Sequence, residues 1–260
     1  MRDQLSLRLE PEIAPLPNLP DGLRPMLARS IPEPFDSPDH LFEPSWGGLR
    51  ALAFVGPAEL AGDGDVRIAD GEGRDVGGSL PELAGMAVRI EARSAVLDGE
   101  LVAVDDTGRA DPAALDRRIR GRPGRPVAFL AFDLLHLDGR SLLSAPLHRR
   151  RDLLRKVLHP GDEVLAVPAI VAEGRALHEA AAAQGIAGVM ARQRTSPYLA
   201  GVRSRLWRFI PAVAVPAATG EIAPANADAS DVDADADEFH RPAAAPVVAL
   251  IRRLPLLFDE

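Results

Sequence analysis

The sequence predicts an α+β fold. Two patterns carry this expectation: strand-length runs of alternating or continuous apolar residues, and longer stretches in which apolar residues recur at helical spacing. The first kind lies at 50–55, 65–69, 95–104, 126–133, 164–169, 186–192 and 205–210. The second kind lies at 80–91, 112–119, 146–158 and 174–184. Their mixture points to an α+β domain, and a chain of 260 residues with 47% hydrophobic content has enough apolar material for a real core.

Taken in order, residues 1–21 begin with the alternating run Gln4-Leu5-Ser6-Leu7-Arg8-Leu9, then turn proline-rich, and are expected to form an extended arm. Residues 22–211 hold all the periodic segments and are expected to be the folded body. Ala, Pro and Asp dominate 212–245, with alternating Asp and Ala at 231–237; such a segment buries too little apolar area to offset its ordering entropy and is expected to be disordered. Residues 246–260 form a short apolar tail. No run of about 18 apolar residues occurs and the N-terminus lacks an apolar signal core, so a cytoplasmic location is expected. With no cysteine and six scattered histidines, neither a disulfide nor a metal site is expected.

The net charge of −8 is unevenly placed. Residues 212–260 hold nine acids and three arginines, so the body before them is nearly neutral. Within that body lie Arg117, Arg118, Arg120, Arg122 and Arg125, then Arg149, Arg150, Arg151 and Arg155, then Arg192, Arg194, Arg203, Arg205 and Arg208. They are expected either to form a phosphate-contacting face or to be solvated arginines on helices and loops. Lys156 is the only lysine, and arginine stays protonated at any workable pH, so amine nucleophile chemistry has one candidate residue.

Several short motifs follow one another through the body. Pro25-Met26-Leu27-Ala28 precedes Glu43-Pro44-Ser45-Trp46-Gly47-Gly48-Leu49-Arg50; then come Gly73, Pro81-Glu82-Leu83 and Leu97-Asp98-Gly99-Glu100-Leu101. Phe132-Asp133-Leu134-Leu135, Pro146-Leu147 with Arg149, Arg150, Arg151, Leu153 and Leu154, and the block Gly185 to Pro211 complete the set. Alone, Asp98-Gly99 reads as a turn between strands and Phe132 as a buried ring on a central strand.

In this order the motifs resemble those of the adenylation domain of ATP-dependent DNA ligases, of the bacterial repair type. The resemblance implies two antiparallel β-sheets flanked by helices, with ATP and Mg²⁺ between them, and usually a further small β-barrel that clamps DNA, for which the residues after Pro211 are too few and too polar. It implies nucleotide contacts from Glu43, Arg50, Glu100, Phe132 and Arg192: a carboxylate for the ribose hydroxyls at Glu100, a ring for the purine at Phe132. It implies DNA or phosphate contacts from Arg203, Arg205 and Arg208, and a cleft shared by Ser45, Glu100, Phe132 and Arg203.

The family's chemical groups are missing where they are expected. The nucleophilic lysine falls on Ser45 and the aspartate after it on Gly47. The metal-holding glutamate falls on Ala187, and two phosphate-neutralising lysines fall on Phe209 and Pro211. The motif arginine of the next segment falls on Gly71. No catalytic residue is therefore expected to be intact, ATP remains only as a non-covalent ligand, and Mg²⁺ is in doubt. Two classes of function stay open: an inactive homologue that binds nucleotide, nicked or duplex DNA, or a repair partner, and a working nucleotidyltransferase that uses other residues. Finally, Gln4, Leu5, Leu7 and Leu9 resemble the Gln-Leu-x-Leu peptides that dock on the bacterial replication sliding clamp; a short edge strand on the domain is the other reading.

Overall fold

The computed structural model describes residues 19–56 and 66–212. The arm residues Gln4, Leu5, Leu7 and Leu9, and everything after Ala212, lie outside the described residues. Sheet one is built from β1 (Leu27–Ser30), β2 (Ser37–Ser45), β9 (Ile170–Ala172), β10 (Gly188–Gln193) and β11 (Arg203–Pro211), in the order β1-β11-β10-β2-β9. Sheet two has β3 (Leu49–Val55), β4 (Val66–Asp70), β5 (Ala95–Ala103), β6 (Val127–Leu137) and β7 (Arg140–Ser141), in the order β4-β3-β5-β6-β7, with β8 (Val164–Ala166) added beside β6. The expectation of two antiparallel sheets holds apart from one parallel pair in each, β1 with β11 and β6 with β8.

Among the described residues three α-helices cover the sheets: α1 (Pro112–Ile119), α2 (Leu147–Val157) and α3 (Gly174–Ala183). For α1 the local signal is complete. Asp111 caps the helix by accepting the Ala114 N–H at 2.9 Å, Pro112 occupies the first turn, and Gly121 at φ +75° follows the end. The stretch expected as a helix at 80–91 is instead a 3₁₀ segment, Pro81–Arg89. Its Gly85 weakens an α-helix by about 1 kcal/mol, and Glu82 is drawn away to accept the Val127 N–H and pair with Arg118.

Behind sheet two, Leu97, Leu101, Phe129 and Leu134 pack with Leu83 and Met86 of the 3₁₀ segment, Leu115 of α1 and Leu154 of α2. The sheets join through Leu52, Phe54 and Val96 of sheet two, which pack with Trp207 of sheet one and with Met26 and Tyr198. Asp98-Gly99 lies inside β5 and makes no turn: pairing with β3 on one side and β6 on the other holds the strand through it, and Gly99 is needed because a Cβ there would come within 2.4 Å of the Phe129 ring.

The buried face of α2 is Leu147, Arg150, Arg151 and Leu154, spacing i, i+3, i+4, i+7. Two arginines thus occupy core positions. Arg150 forms a two-pronged bond to Asp133 on β6 at 2.8 and 2.7 Å, with both side chains fully buried. This corrects the expected basic face: Arg150, Arg151 and Arg192 are interior, while Arg118, Arg120 and Arg125 are paired with Glu82, Asp116 and Asp106. Lys156 is exposed on the other side of α2.

A buried pair is costly to break because the remaining charge stays unpaired. Arg150→Met should lower unfolding free energy by about 3–5 kcal/mol in urea titrations, and adding Asp133→Leu should restore most of it. Equal stability of the single and double variants would contradict this pairing.

Candidate functional site

The site centres on the turn Ser45–Gly48, which leaves β2 in sheet one and enters β3 in sheet two. Ser45 pairs with Gly188, Glu43 with Met190, and Leu41 with Arg192, so the period-2 pleat puts Glu43 and Ser45 on one face with Gly188, Met190 and Arg192. The β10–β11 register adds Trp207 and Phe209 to that face. Gly48 cannot carry a side chain, since a Cβ would meet the Leu101 carbonyl oxygen at 2.0 Å. The turn is gripped from sheet two: the N–H groups of Gly48 and Trp46 donate to the Glu100 carboxylate, the latter at 3.4 Å, and Gly47 contributes as well. Consecutive N–H groups converging on one anion form a nest, and here the anion is the protein's own. Burial pushes the Glu100 carboxyl above the usual range, outweighing these donors and Arg50.

Beside it, Arg50 holds Asp98 with two bonds, Nε to Oδ1 at 2.6 Å and Nη2 to Oδ2 at 2.5 Å. The Tyr198 hydroxyl donates to Asp98 at 2.7 Å and accepts from the Met26 N–H at 2.9 Å. Arg50 also donates to the Met26 carbonyl, which ties the lead-in segment to both sheets. Burial opposes the Arg50 charge, but Asp98 prevails and raises its pKa. Tyr198 is raised well above normal, first by burial and then by Asp98.

Phe132 is 5% exposed, and two guanidinium groups lie over its ring: Arg192 at 3.9 Å and Arg50 at 4.4 Å. The same two lie over Trp207, at 4.7 and 5.4 Å. Glu43 is ion-paired with both Arg192 and Arg151, and Arg151 also donates to the carbonyls of Phe132, at 2.8 Å, and Val167. Burial pulls Arg192 down to about 9, opposed by Tyr198, and Arg151 to about 10, opposed by Asp133 and Asp152. Both therefore stay cationic at neutral pH.

Ser45, Glu100 and Phe132 are thus brought close together where the two sheets meet, with Glu43, Arg50 and Arg192. Arg203 is not: it is exposed at the start of β11 and donates to the Ala28 carbonyl at 2.8 Å on the edge strand β1. Arg205 is exposed, and Arg208 lies over the Phe35 ring at 5.0 Å. Gly47, at φ +79°, abuts Ala187 so closely that a Cβ would be 3.0 Å from the Ala187 Cβ. Phe209 and Pro211 pair with Met190 and Gly188.

These side chains do not suit a divalent cation. Gly47 and Ala187 bring no carboxylate, Glu43 is consumed by two arginines, and among the described residues no group of three His, Asp or Glu converges as a metal site. For a nucleotide the fit is also poor: the ring surface of Phe132 is stacked on guanidiniums, and the Glu100 carboxylate holds the turn. Sequence reasoning missed Asp98, Tyr198, Arg151 and Met26. The helical phase Leu147, Arg150, Arg151, Leu154 was a usable signal for Arg151; no comparable signal marked the Asp98–Tyr198 bond.

Two sheets, with a turn passing from one to the other at the centre of the site, have the arrangement of an adenylation-type domain. A profile of the ATP dependent DNA ligase domain matches residues 25–209, and the chain belongs to that family. The multifunctional non-homologous end joining DNA repair protein LigD of Mycobacterium tuberculosis (strain H37Rv) is 35% identical over 189 residues, 72% of this chain and 24% of that protein. The chain therefore spans about a quarter of the length of that relative. Among solved structures, mycobacterial DNA ligase D complexed with ATP and MES superposes with a TM-score of 0.62 at 31% identity, covering 73% of this chain and 60% of that one. The ligase domain of M. tuberculosis LigD gives 0.60 at 31% identity, covering 72% and 58%. Among the described residues no helix is long and apolar enough to cross a membrane.

The raised Glu100 carboxyl has a signed consequence. The folded state holds this proton more tightly than the unfolded state, so its contribution to stability is full below the unfolded pKa and is lost as pH rises through the folded one. Glu100→Gln removes that component. Urea midpoints measured from about pH 4 to about pH 8 should fall less steeply with rising pH in the variant than in the wild type, and parallel curves would refute it.

Proposed function

We propose that this chain is a non-catalytic member of the DNA ligase family that serves DNA repair by binding, not by sealing. The observation that carries this reading is the turn at Ser45: the position of the attacking lysine holds a hydroxyl, and the only lysine of the chain is exposed on the far side of α2. A serine forms at best an ordinary phosphodiester, a poor AMP donor, whereas ligation needs a labile P–N bond. The exposed Arg203 and Arg205 supply charge for a DNA backbone along β11. Strand-break repair is suggested as the setting because the named relatives act in non-homologous end joining.

Intact-mass measurement after incubation with ATP and Mg²⁺ tests the reading, and no AMP-sized increase is expected. Ser45→Lys alone should restore neither the adduct nor nick sealing, because Ala187, Phe209 and Pro211 are changed as well and such groups act as a unit. An adduct on the wild-type protein would show instead a working nucleotidyltransferase that uses other residues.

We further propose that the N-terminal arm docks on the replication sliding clamp. Alternate leucines at 5, 7 and 9 suit an apolar groove, with the Gln4 amide hydrogen-bonding at its mouth. Prolines at 11, 15, 17 and 20 favour an extended tether that holds the peptide clear of the body. A peptide of residues 1–12 should bind purified clamp, and Gln4→Ala with Leu7→Ala should abolish binding. Equal binding by both peptides, or none by either, would retire the idea.

A further inference from the structure

Sheet one ends at β1, whose outer side has no strand beside it among the described residues. Exposed arginines follow this edge: Arg24 just before β1, Arg29 within it, and Arg203 and Arg205 on β11. The parallel pairing of β1 with β11, Leu27 opposite Arg203 and Arg29 opposite Arg208, gathers them from distant parts of the chain. Arg24 is held there by its carbonyl, which accepts the Gly201 N–H at 3.1 Å. Arg203 spends one N–H on the Ala28 carbonyl and keeps the rest of its fork. Among the described residues none of the four joins an ion pair, whereas Arg118, Arg120 and Arg125 each do. Like charges gathered along one edge raise the local potential and favour an anion there.

The chain carries an anion of matching pattern. Residues 213–240 hold seven acids and no arginine or lysine, and five of the seven lie in Asp231-Val232-Asp233-Ala234-Asp235-Ala236-Asp237-Glu238. Alternation at period 2 puts the four aspartates on one side of an extended backbone, and the same period separates Arg203 from Arg205 on β11. We propose that the segment Asp231–Glu238 docks on the arginine edge of its own chain. Reach is sufficient: the stretch from Ala212 to Asp231 spans up to about 60 Å when extended, and β11, which it must retrace, about 30 Å. A single exposed ion pair contributes little, but several act together here, and the tether supplies an effective concentration on the order of millimolar. The docking itself needs no DNA. Its consequence, that the segment holds DNA off the edge, rests on the reading that Arg203 and Arg205 meet a DNA backbone.

The full chain has no cysteine, so Ser30→Cys on β1 and Ser230→Cys ahead of the acids accept a donor and an acceptor dye. The sign of the salt dependence separates the cases. An acidic segment that stands alone repels itself and contracts as salt is added, so energy transfer rises; a docked one is released, and transfer falls. We expect transfer to fall at least about twofold between about 20 mM and about 500 mM salt. Transfer should lose this fall when Asp231→Asn, Asp233→Asn, Asp235→Asn and Asp237→Asn are combined, and equally when Arg29→Gln, Arg203→Gln and Arg205→Gln are combined. Those three arginines are exposed, so the second variant should melt with the wild type. At about 50 mM salt an unnicked duplex should bind the aspartate variant about tenfold more tightly than the wild type. Salt-released transfer with no duplex bound by either chain retires the DNA reading and leaves the docking supported. Four results overturn the proposal: transfer that rises with salt, transfer unchanged by the arginine substitutions, transfer between separately labelled chains, or a duplex bound equally by the wild type and the aspartate variant.

Discussion

The arrangement depends on buried charges that tie α2, the two sheets and the lead-in segment together. Asp98, Asp133 and Glu43 are each at most 1% exposed, and each is met by at least one guanidinium: Arg50, Arg150, and the pair Arg151 and Arg192. An ion pair inside a protein contributes little net stability against an apolar replacement, but it fixes geometry, because either partner left alone is expensive. Each pair joins different elements. Arg150 ties α2 to β6, Arg151 ties α2 across to β2 in the other sheet, and Arg192 ties β10 to β2. Arg50, through Asp98 and Tyr198, ties sheet two to the lead-in at Met26. Arginine suits the task better than lysine, since its planar fork meets both carboxylate oxygens and stacks on Phe132 and Trp207 at once.

The same interactions bear on the proposed loss of catalysis. A cleft that handles nucleotide needs cations free to meet phosphates and a ring free to meet a base. Here Arg192 is drawn to Glu43 and stacked on Phe132, and Glu100 closes on the N–H groups of the turn. A nucleotide would have to displace protein groups of matching charge. Such displacement is unfavourable because a buried carboxylate stripped of its partner retains its full desolvation cost.

Much of the architecture was legible in the sequence where local and tertiary preferences agree. The span of α1 follows from Asp111, Pro112 and its apolar spacing, and β3 and β5 from apolar runs interrupted only by Arg50 and by Asp98-Gly99-Glu100. β2 was not legible, because Pro38, Pro44 and the two acids Asp39 and Glu43 argue against a central strand. It is tolerated because β9 pairs β2 only as far as Phe42, leaving one side of the strand open at Pro44. The buried arginines were misplaced for a related reason. A run such as Arg149-Arg150-Arg151 looks solvated by composition, and only its phase against Leu147 and Leu154 reveals that two of the three face inward. The Asp98–Tyr198 bond spans a hundred residues and leaves no local trace.

At Gly47 and Ala187 the departures from the family pattern are linked through backbone geometry. A Cβ at Gly47 would lie 3.0 Å from the Ala187 Cβ, and the backbone there is at φ +79°, where side chains are strained. A side chain at Gly47 would therefore need the turn to shift relative to β10. The turn resists that movement: Glu100 grips its N–H groups from one side, Gly48 lies against the Leu101 carbonyl, and Trp46 is packed with Phe132 and Val102. With glycine and alanine at these positions, the turn lies so close to β10 that a side chain at Gly47 needs a shift of the backbone.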